Sequence, residues 1–320
     1  MKVLVTGGAG FVGWHLCDLI LGEGHTVTCY DILDPLVVNP DLGRIGSHPR
    51  FTLIKGDVLD HDALRSAMIG HDLVIHAAAQ SAVDRSIKEP VTTFHVNALG
   101  TVNALEAARQ LGIRRFHYVS TDEVFGAASV GSFTEDSPWR PRNPYAAGKV
   151  AGEAAVLAWS NTYGMAITAT NGTNNYGERQ GLDKVTPRLV VRGLLGQTLP
   201  VYGDGRQMRE WLHVTDHCRA VWRVIQSGTP GQSYCVGEGT VTENIQVARY
   251  IIEELKLDES RIEFVADRLG HDLRYAVNSA KLRQLGWTPT VPFEEGLRKT
   301  IQWYCENRSW WEGFLSKMQI

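Results

Sequence analysis

Five side chains in the middle of the chain have the types and the spacing for acid–base chemistry on a hydroxyl group. They are Thr121, Asp122, Glu123, Tyr145 and Lys149. Proline favours the first turn of a helix, and a helix that begins at Pro144 would place Tyr145 and Lys149 on one face. An ammonium group beside a phenol stabilises the phenolate and lowers its pKa from about 10. We therefore expect Tyr145 to act as a base toward a substrate hydroxyl.

The two adjacent carboxyl groups follow the apolar run RFHYVS, where a strand would open into a loop. Such a pair can serve as acid and base if the surroundings keep one group protonated and the other ionised. Composition alone would instead favour a polar loop or helix cap for STDE, and a surface tyrosine and lysine for YxxxK. The chemical interpretation therefore depends on the fold that carries these residues.

A glycine-rich segment, VTGGAGFVGWHL, begins at the end of the first strand-like run. Gly8, Gly10 and Gly13 match the pattern GxGxxG, and with Gly7 the same segment also matches GxxGxxG. Glycine permits a tight turn and a close approach of the backbone to a pyrophosphate at a helix N-terminus. Asp31 follows about 20 residues later, where a carboxylate holds ribose hydroxyls and repels a 2′-phosphate. These features predict NAD rather than NADP; the alternative is a glycine-rich turn with an unrelated aspartate.

Apolar strand-like runs alternate with helical patterns through the first half of the chain. The runs lie at 2–6, 26–31, 51–57, 73–79, 115–120 and 165–171. Their continuous hydrophobicity is typical of parallel strands covered on both faces, so we predict an α/β doubly wound sheet of Rossmann type over 1–172. The rhythm changes afterwards, which predicts a smaller α/β substrate domain over 173–320. A strand and helix at about 212–238 could return to the first sheet.

Bulk properties exclude several classes of protein. The formal net charge is −3, with both signs mixed along the chain, so nothing indicates binding to nucleic acid. The five cysteines are scattered and form no CxxC pair, and no apolar run approaches the ~18 residues of a membrane span. We therefore expect no membrane association and a cytoplasmic location. His213, His217 and Cys218 could form a zinc site if helical, but no metal is expected.

The motifs resemble those of extended short-chain dehydrogenases and, within them, dTDP-glucose 4,6-dehydratases. The resemblance covers nearly the whole chain through TGGAGFVG, AVDRSI, VSTDEVFG, NPYAAGK, NNYGERQ, PVYGDGRQMREWLHVTDH and DRLGHDLRYAVNSAKLRQLGW. The TDE triplet is the specific part, because related nucleotide-sugar 4-epimerases have small hydroxyl residues there. The resemblance implies a hydro-lyase that uses NAD and acts on a nucleotide-diphosphate hexose, with dTDP-glucose as the first expectation.

The resemblance also implies a role for each side chain of the central group. Tyr145, helped by Thr121 and with Lys149 nearby, takes the C4 hydroxyl proton while a hydride passes to NAD. Glu123 then acts as the base at C5, and Asp122 protonates the hydroxyl that leaves C6 as water. The hydride returns to C6, so NAD is regenerated in each turnover.

Binding residues follow from the glycine pattern and from the matched family positions. Arg209 and Arg268 match positions that bind the diphosphate, with His271 and Tyr275 nearby. The other candidate substrate residues are Asn175, Lys184, Tyr202 and Asn244 at nucleotide positions, with Ser81, Thr121, Val185 and Pro200. The candidate cofactor residues are Gly7, Gly8, Gly10, Phe11, Val12, Gly13, Asp31, Asp57, Val58, Ala77, Ala78, Ala79, Asn97, Ser120, Tyr145 and Lys149. Relatives pair through the helices that bear YxxxK and NALGTVNALEAAR, so a homodimer is expected.

The chain departs from the family pattern near the sugar. Gln80 and Ala82 stand where most relatives have an acidic residue and a histidine, and Asn171 stands where arginine is common. Two alternatives stay open. A nucleotide-sugar 4-epimerase or decarboxylase would use Tyr145 and Lys149 without the two acids. A catalytically silent NAD-binding protein is more remote.

Overall fold

The computed structural model describes residues 1–36, 38, 41–128, 130–267 and 271–315. Its strands are β1 (Lys2–Thr6), β2 (Thr26–Asp31), β3 (Phe51–Lys55), β4 (Leu73–His76), β5 (Arg115–Thr121), β6 (Ala166–Gly172), β7 (Asn174–Tyr176), β8 (Leu199–Tyr202), β9 (Met208–His213), β10 (Ser233–Val236), β11 (Val241–Glu243) and β12 (Ile262–Val265). Its α-helices are α1 (Phe11–Gly22), α2 (His61–Met68), α3 (Val83–Lys88), α4 (Pro90–Phe94), α5 (Gly100–Gln110), α6 (Pro144–Tyr163), α7 (Val185–Leu194), α8 (Val214–Ser227), α9 (Asn244–Leu255), α10 (Ala280–Gln284), α11 (Phe293–Glu306) and α12 (Arg308–Leu315).

A seven-stranded parallel sheet is the centre of the fold, with the spatial order β10-β6-β5-β4-β1-β2-β3. β1 pairs with β2 on one side and with β4 on the other, so the strand order reverses there. In such sheets ligands bind beyond the carboxyl ends of the strands at the point of reversal. The predicted doubly wound fold is confirmed, and the strand from the second half that joins this sheet is β10, beside β6.

The alternation of side chains along β1 explains why the sheet needs helices on both faces. Val3 and Val5 belong to an apolar core with residues of α1 and α8. Leu4 belongs to the opposite core, with residues of α2, α5 and α6. Successive side chains of a strand point to opposite faces, so a run that is apolar at every position must be covered twice.

Two predicted strands end earlier than their apolar runs. The run at 51–57 stops as β3 at Lys55, and the run at 73–79 stops as β4 at His76. Ala77 to Ala79 leave the sheet because they pass over the glycine-rich turn: a Cβ atom on Gly7 would lie 2.7 Å from the Cα atom of Ala78. An apolar run thus marked both a strand and the loop that lines its end.

The remaining elements form a smaller layer beside the carboxyl edge of the main sheet. It contains a three-stranded sheet, β11-β9-β7, and the parallel pair β12-β8. Helices α7, α9, α11 and α12 enclose a separate apolar core that includes Tyr304, Trp311 and Phe314. The short strands β7 and β11 were not predicted. Within the described ranges, no helix is long and apolar enough to span a membrane.

Candidate active site

The glycine-rich turn between β1 and α1 has no room for side chains. A Cβ atom on Gly13 would lie 2.0 Å from the carbonyl oxygen of Gly7, and one on Gly8 would lie 2.7 Å from Sγ of Cys29. Gly7 also has a φ of +68°, a conformation that favours glycine. Gly10 precedes the first helical residues, Phe11 and Val12, so the helix N-terminus opens at the carboxyl edge of the sheet. This cradle of backbone fits a dinucleotide pyrophosphate.

Asp31 is fixed beside this turn by backbone donors. Its Oδ2 accepts a hydrogen bond from the Ala9 amide (3.0 Å), and its Oδ1 accepts one from the Leu33 amide (2.8 Å). Burial raises the pKa of this carboxyl group, while the bonds from Leu33 and Ala9 act in the opposite direction. The carboxylate therefore lies at a defined position at the end of β2, where a ribose hydroxyl could donate to it.

The other candidate cofactor residues line the same edge. Asn97 receives the Gln80 amide on its Oδ1 (2.8 Å) and donates its Nδ2 to the Gln80 carbonyl (3.1 Å), which anchors the loop after β4. The Oδ1 of Asp57 accepts from the Leu59 amide (2.9 Å), and Val58 packs against Gly100. Ser120, near the end of β5, donates to Glu153. These side chains come from neighbouring strand ends and the helix behind them.

Tyr145 and Lys149 lie on the first turns of α6. The side chain of Asn143 caps this helix by accepting from the Ala146 amide (2.8 Å), and Pro144 is the first helical residue. Lys149 is only 2% exposed, and its Nζ donates to the carbonyl of Val119 (2.7 Å). Burial lowers the pKa of Lys149 to about 7, although the carboxylate of Glu153 raises it.

The expected lowering of the tyrosine pKa is wrong for this arrangement of charges. Burial and then the charge of Glu123 raise the pKa of Tyr145 well above its usual range, whereas a hydrogen bond with Thr121 lowers it. The physical reason is that burial has the largest effect on Tyr145, while Nζ of Lys149 donates to a carbonyl of β5. Thr121 is therefore the group that already contacts the phenol.

The adjacent acids have different surroundings. Asp122 is 2% exposed, and its Oδ2 has no hydrogen-bond partner among the described residues. Burial, followed by the charges of Glu123 and Glu210, raises the pKa of Asp122 well above its usual range. Glu123 is half-buried, and its Oε2 accepts from Nδ2 of Asn143 (3.0 Å). One carboxyl group thus lies in a site that favours the protonated form, and its neighbour is partly open and accepts a hydrogen bond.

A short 3₁₀ turn over Asp122–Phe125 produces this contrast. Thr121 ends β5 and caps the turn, because its Oγ1 accepts from the Glu123 amide (3.3 Å). Since consecutive residues of a tight turn point in different directions, two neighbours in sequence face different environments. The polar cap that composition alone would favour is therefore present, and it orients the two acids.

Two of the predicted diphosphate residues, Arg209 and Tyr275, pack against each other. The guanidinium of Arg209 lies 4.3 Å from the centre of the Tyr275 ring and donates to the Met208 carbonyl (2.8 Å). The hydroxyl of Tyr275 donates to Asp272 (2.5 Å), which pairs with Arg142 (2.8 Å). Charge from Glu123 is among the causes that raise the pKa of Tyr275, after burial. This link places the group near the two acids; Arg268 lies outside the described residues.

The nucleotide residues come from several segments. Nζ of Lys184 donates to the carbonyl of Ser81 (2.7 Å), and Tyr202 donates to Asp84 (3.4 Å), so the loop after β4 is joined to the smaller layer. His271 pairs with Asp267 (2.6 Å) and lies edge-on to Tyr202. Val185 begins α7 and Pro200 lies in β8. The Oδ1 atoms of Asn175 and Asn244 are buried with no partner among the described residues, which leaves acceptors for a ligand.

The HxxxH pair is divided between two elements. His213 ends β9 and bonds with Thr215 (2.8 Å), while His217 and Cys218 lie inside α8. The condition for the zinc alternative, a single helix, is therefore not met.

Sequence reasoning missed two buried acids. Glu153 lies one helical turn after Lys149 and binds Ser120 and Asn171. Glu210 accepts from the amides of Val277 (3.0 Å) and Gly239 (2.5 Å). The four-residue spacing from Lys149 was a usable signal for Glu153, whereas no pattern in the sequence indicated the contacts of Glu210.

A parallel sheet with a glycine-rich first turn, and with a Tyr-xxx-Lys pair whose lysine is buried at its carboxyl edge, defines an extended short-chain dehydrogenase. The family model described as GDP-mannose 4,6 dehydratase matches residues 4–300. The dTDP-glucose 4,6-dehydratase of Streptomyces niveus is 40% identical over 98% of this chain and 95% of its own length. That of Neisseria meningitidis serogroup B is also 40% identical, over 98% of this chain and 96% of its own length. The chain belongs to the dTDP-glucose 4,6-dehydratase family.

Solved structures agree with this assignment. DesIV, a dTDP-glucose 4,6-dehydratase from Streptomyces venezuelae with NAD bound, superposes with a TM-score of 0.95 at 40% identity, covering 98% of this chain and all of that one. The UDP-glucose 4-epimerase of Thermus thermophilus, in complex with NAD, gives a TM-score of 0.89 at 30% identity, covering 96% of this chain and all of that one. The fold is therefore shared with an epimerase.

Proposed function

We propose that the protein is an NAD-dependent nucleotide-sugar 4,6-dehydratase that converts dTDP-glucose to its 4-keto-6-deoxy product. The observation that carries the proposal is the contrast between Asp122, in a site that favours a protonated carboxyl, and Glu123, which accepts a hydrogen bond beside it. Dehydration requires an acid for the departing hydroxyl and a base for the neighbouring C–H bond. Epimerisation at C4 requires neither.

Bound NAD would supply hydride exchange with C4 and C6 of the sugar, and the glycine-rich turn and Asp31 would hold it. Tyr145 takes the proton of the C4 hydroxyl, with Thr121 in contact with the phenol. Because burial raises the pKa of Tyr145, its action as a base needs a positive charge nearby, which Lys149 provides from the same helix.

The two acids act once C4 is a ketone. The ketone acidifies the C5 hydrogen, and the Glu123 carboxylate accepts that proton. Asp122 gives its proton to the C6 hydroxyl, which departs as water. The protonated form that Asp122 needs for this step is the form that its burial favours.

Arg209, with Tyr275 beside it, and His271 are proposed to hold the diphosphate, and Asn175, Lys184 and Asn244 the nucleotide. Arginine suits this position because its guanidinium binds phosphate oxygens in a bidentate manner. The smaller layer from residues 173–320, apart from α8 and β10, would thus bind the nucleotide sugar. The remainder of the chain would bind the cofactor.

A homodimer in the cytoplasm is part of the proposal. Large apolar side chains are exposed on the surface formed by α4, α6 and the segment between α4 and α5: Val91, Phe94, Leu99, Leu157 and Tyr163. α6 packs against α4 and that segment, so these side chains form one surface, and such patches mark interfaces. Phe94→Glu should convert a dimer to a monomer in sedimentation velocity. Val130→Glu, at an exposed valine elsewhere, is the control, and an unchanged sedimentation coefficient for Phe94→Glu would exclude this surface.

Product analysis tests the reaction directly. Incubation with the dTDP, UDP, GDP and CDP forms of glucose should give, with dTDP-glucose first, a product lighter by one water and no net reduced cofactor. A panel that returned only 4-epimers would refute the proposal. Near-normal turnover in both Asp122→Asn and Glu123→Gln would favour the epimerase alternative.

A further inference from the structure

The buried amine of Lys149 lacks a charged partner in direct contact among the described residues. Its Nζ donates to the Val119 carbonyl and lies 4.1 Å from the centre of the Tyr118 ring. Both contacts are with uncharged groups. Removing an ammonium group from water is costly unless an opposite charge lies close by, so the source of that charge decides whether Lys149 keeps its proton.

Glu153 lies one turn further along α6 and is 4% exposed. Its Oε2 accepts from the Ser120 hydroxyl (2.8 Å) and from Nδ2 of Asn171 (3.0 Å), and its Oε1 lies 3.2 Å from the same amide. Burial raises the pKa of Glu153, whereas the hydrogen bonds from Ser120 and Asn171 and the charge of Lys149 lower it. These donors are all neutral, so they stabilise a carboxylate without cancelling its charge. Residues four apart on a helix share a face, so the uncancelled charge of Glu153 lies on the same side of α6 as Lys149.

The other titratable groups around this part of α6 do not compete for the role. His76 of β4 is neutral because burial lowers its pKa to about 3, and Tyr118 and Tyr145 are neutral because burial raises theirs. Burial raises the pKa of Asp122, which favours its uncharged form. The charge of Glu123 acts on Asp122 and Tyr145, whereas the charge that acts on Lys149 is that of Glu153.

Asn171 leaves the charge of Glu153 uncancelled. A guanidinium at this position would pair with the acid on α6. Asn171 instead gives Glu153 a neutral amide and extends the same Nδ2 toward the carbonyl of Thr121 (3.4 Å). The network therefore ends at the residue that contacts the phenol of Tyr145.

We propose that Glu153 is a positioning residue, the buried counter-ion that keeps Lys149 charged beside Tyr145, and that Asn171 leaves its charge free for this purpose. The inference rests on the proposed function in one respect only, namely that the ammonium group of Lys149 assists Tyr145 in the reaction. Without the carboxylate, Lys149 would lose its proton at a lower pH, because burial alone favours the neutral amine.

Glu153→Gln tests the proposal, because it removes the charge at nearly constant volume and retains an oxygen for Ser120. Lysine with an isotope label next to the amine allows the titration of Lys149 to be followed by nuclear magnetic resonance. The midpoint should fall by at least about one pH unit relative to the unmodified protein. The apparent pKa of the alkaline limb in the pH profile of kcat for dehydration should fall by the same amount, and KM for the nucleotide sugar should change little. Glu295→Gln, at an exposed acid of α11, is the matched control and should move neither.

An unchanged Lys149 midpoint in folded Glu153→Gln protein would overturn the proposal. If this variant fails to fold, Asn171→Arg provides the second test. The arginine would cancel the charge of Glu153, so the midpoint should again fall, and an unmoved midpoint in folded protein would refute the proposal. Absence of dehydration in the unmodified protein would count against the proposed function instead, since the titration of Lys149 does not depend on turnover.

Discussion

The cofactor side and the sugar side of the cleft are built in opposite ways. The cofactor side is one short turn of backbone, in which a Cβ atom on Gly7, Gly8 or Gly13 would collide with neighbouring atoms. The sugar side is assembled from side chains of separate segments, such as the bond from Lys184 to the Ser81 carbonyl. A site made of backbone permits few changes, whereas a site made of side chains can change one contact at a time.

The proposed catalytic residues lie where the two sides meet, so their loss should have the largest effect. Asp122→Asn removes the acid, and we expect turnover to fall by about 10²–10⁴-fold, the usual contribution of a general acid. Glu123→Gln should lower turnover by a similar factor. Both variants should accumulate reduced nicotinamide, because oxidation at C4 precedes the steps that they block, but only Asp122→Asn should still exchange the C5 hydrogen with solvent. Absorbance of the reduced cofactor and solvent deuterium at C5 after a single addition of substrate measure the two effects. Loss of C5 exchange in Asp122→Asn, or its retention in Glu123→Gln, would contradict the division of acid and base.

The next largest effect should come from the backbone side. Gly13→Ala would place a Cβ atom 2.0 Å from the Gly7 carbonyl oxygen. Relief of this overlap must distort the turn, so we expect a loss of about 3 kcal/mol in the free energy of unfolding and weaker NAD binding. Denaturant titration and calorimetric titration with NAD measure the two effects.

Gly22→Ala is the control for that variant, since it lies in the same helix and its Cβ would meet nothing within 4 Å. It should stabilise the helix slightly, by about 0.5–1 kcal/mol, because alanine is the better helix former. Destabilisation of both variants to the same extent would show that the loss is not specific to the turn.

This contrast also explains how far the sequence could be read. The glycine spacing and the strand runs identify the cofactor side because local backbone geometry imposes them, and all six strands of the first half were predicted. Tyr145 and Lys149 were found because their spacing fits one helical face. The role of Asp122 could be proposed from the resemblance, but its raised pKa depends in part on Glu210, which lies on a strand distant in sequence.

No local sequence pattern could predict the contacts between distant segments. The direction of Lys149 toward Val119 depends on how α6 lies across β5, so the expected effect on Tyr145 was wrong. The short strands β7 and β11 escaped notice because three residues carry too little periodicity, and pairing with β9 determines them. Long-range packing thus decides the electrostatics, even where the residues themselves can be chosen from the sequence.

Arg179 joins the sugar side of the site to the cofactor side, and its removal should give the third-largest effect. It has a φ of +64°, its guanidinium lies 4.5 Å from the centre of the Trp14 ring, and it donates to the Asp41 carbonyl (3.0 Å). Trp14 directly follows Gly13 in α1, and its indole donates to the Leu42 carbonyl (2.9 Å). Arg179 and Trp14 together therefore hold the loop at Asp41 and Leu42 against α1. Arg179→Met keeps the backbone strain and removes the charge and the bond. We expect NAD to dissociate about tenfold faster, from the loss of about 1–2 kcal/mol.

Stopped-flow displacement of bound NAD measures that rate. Arg114→Met, at an exposed arginine on the far side of the sheet, should leave it unchanged. A normal rate in Arg179→Met would show that the cofactor side holds NAD without help from the smaller layer, which would sharpen the contrast between the two sides.

The smallest effect should come from a single contact on the sugar side. The Oε1 of Gln80 accepts from the Ala82 amide (3.0 Å), which fixes the orientation of the side chain and leaves its Nε2 buried without a partner among the described residues. An unpaired buried donor is unfavourable until a ligand oxygen reaches it. Gln80→Leu should therefore raise KM for the nucleotide sugar about fivefold and leave kcat nearly unchanged, since one neutral hydrogen bond contributes about 1 kcal/mol. Gln302→Leu on the surface of α11 is the control. Gln80→Glu places a carboxylate at this position, and a change in the preferred hexose in that variant would show that the position selects the sugar. An unchanged KM in Gln80→Leu would show that the amide does not reach the sugar.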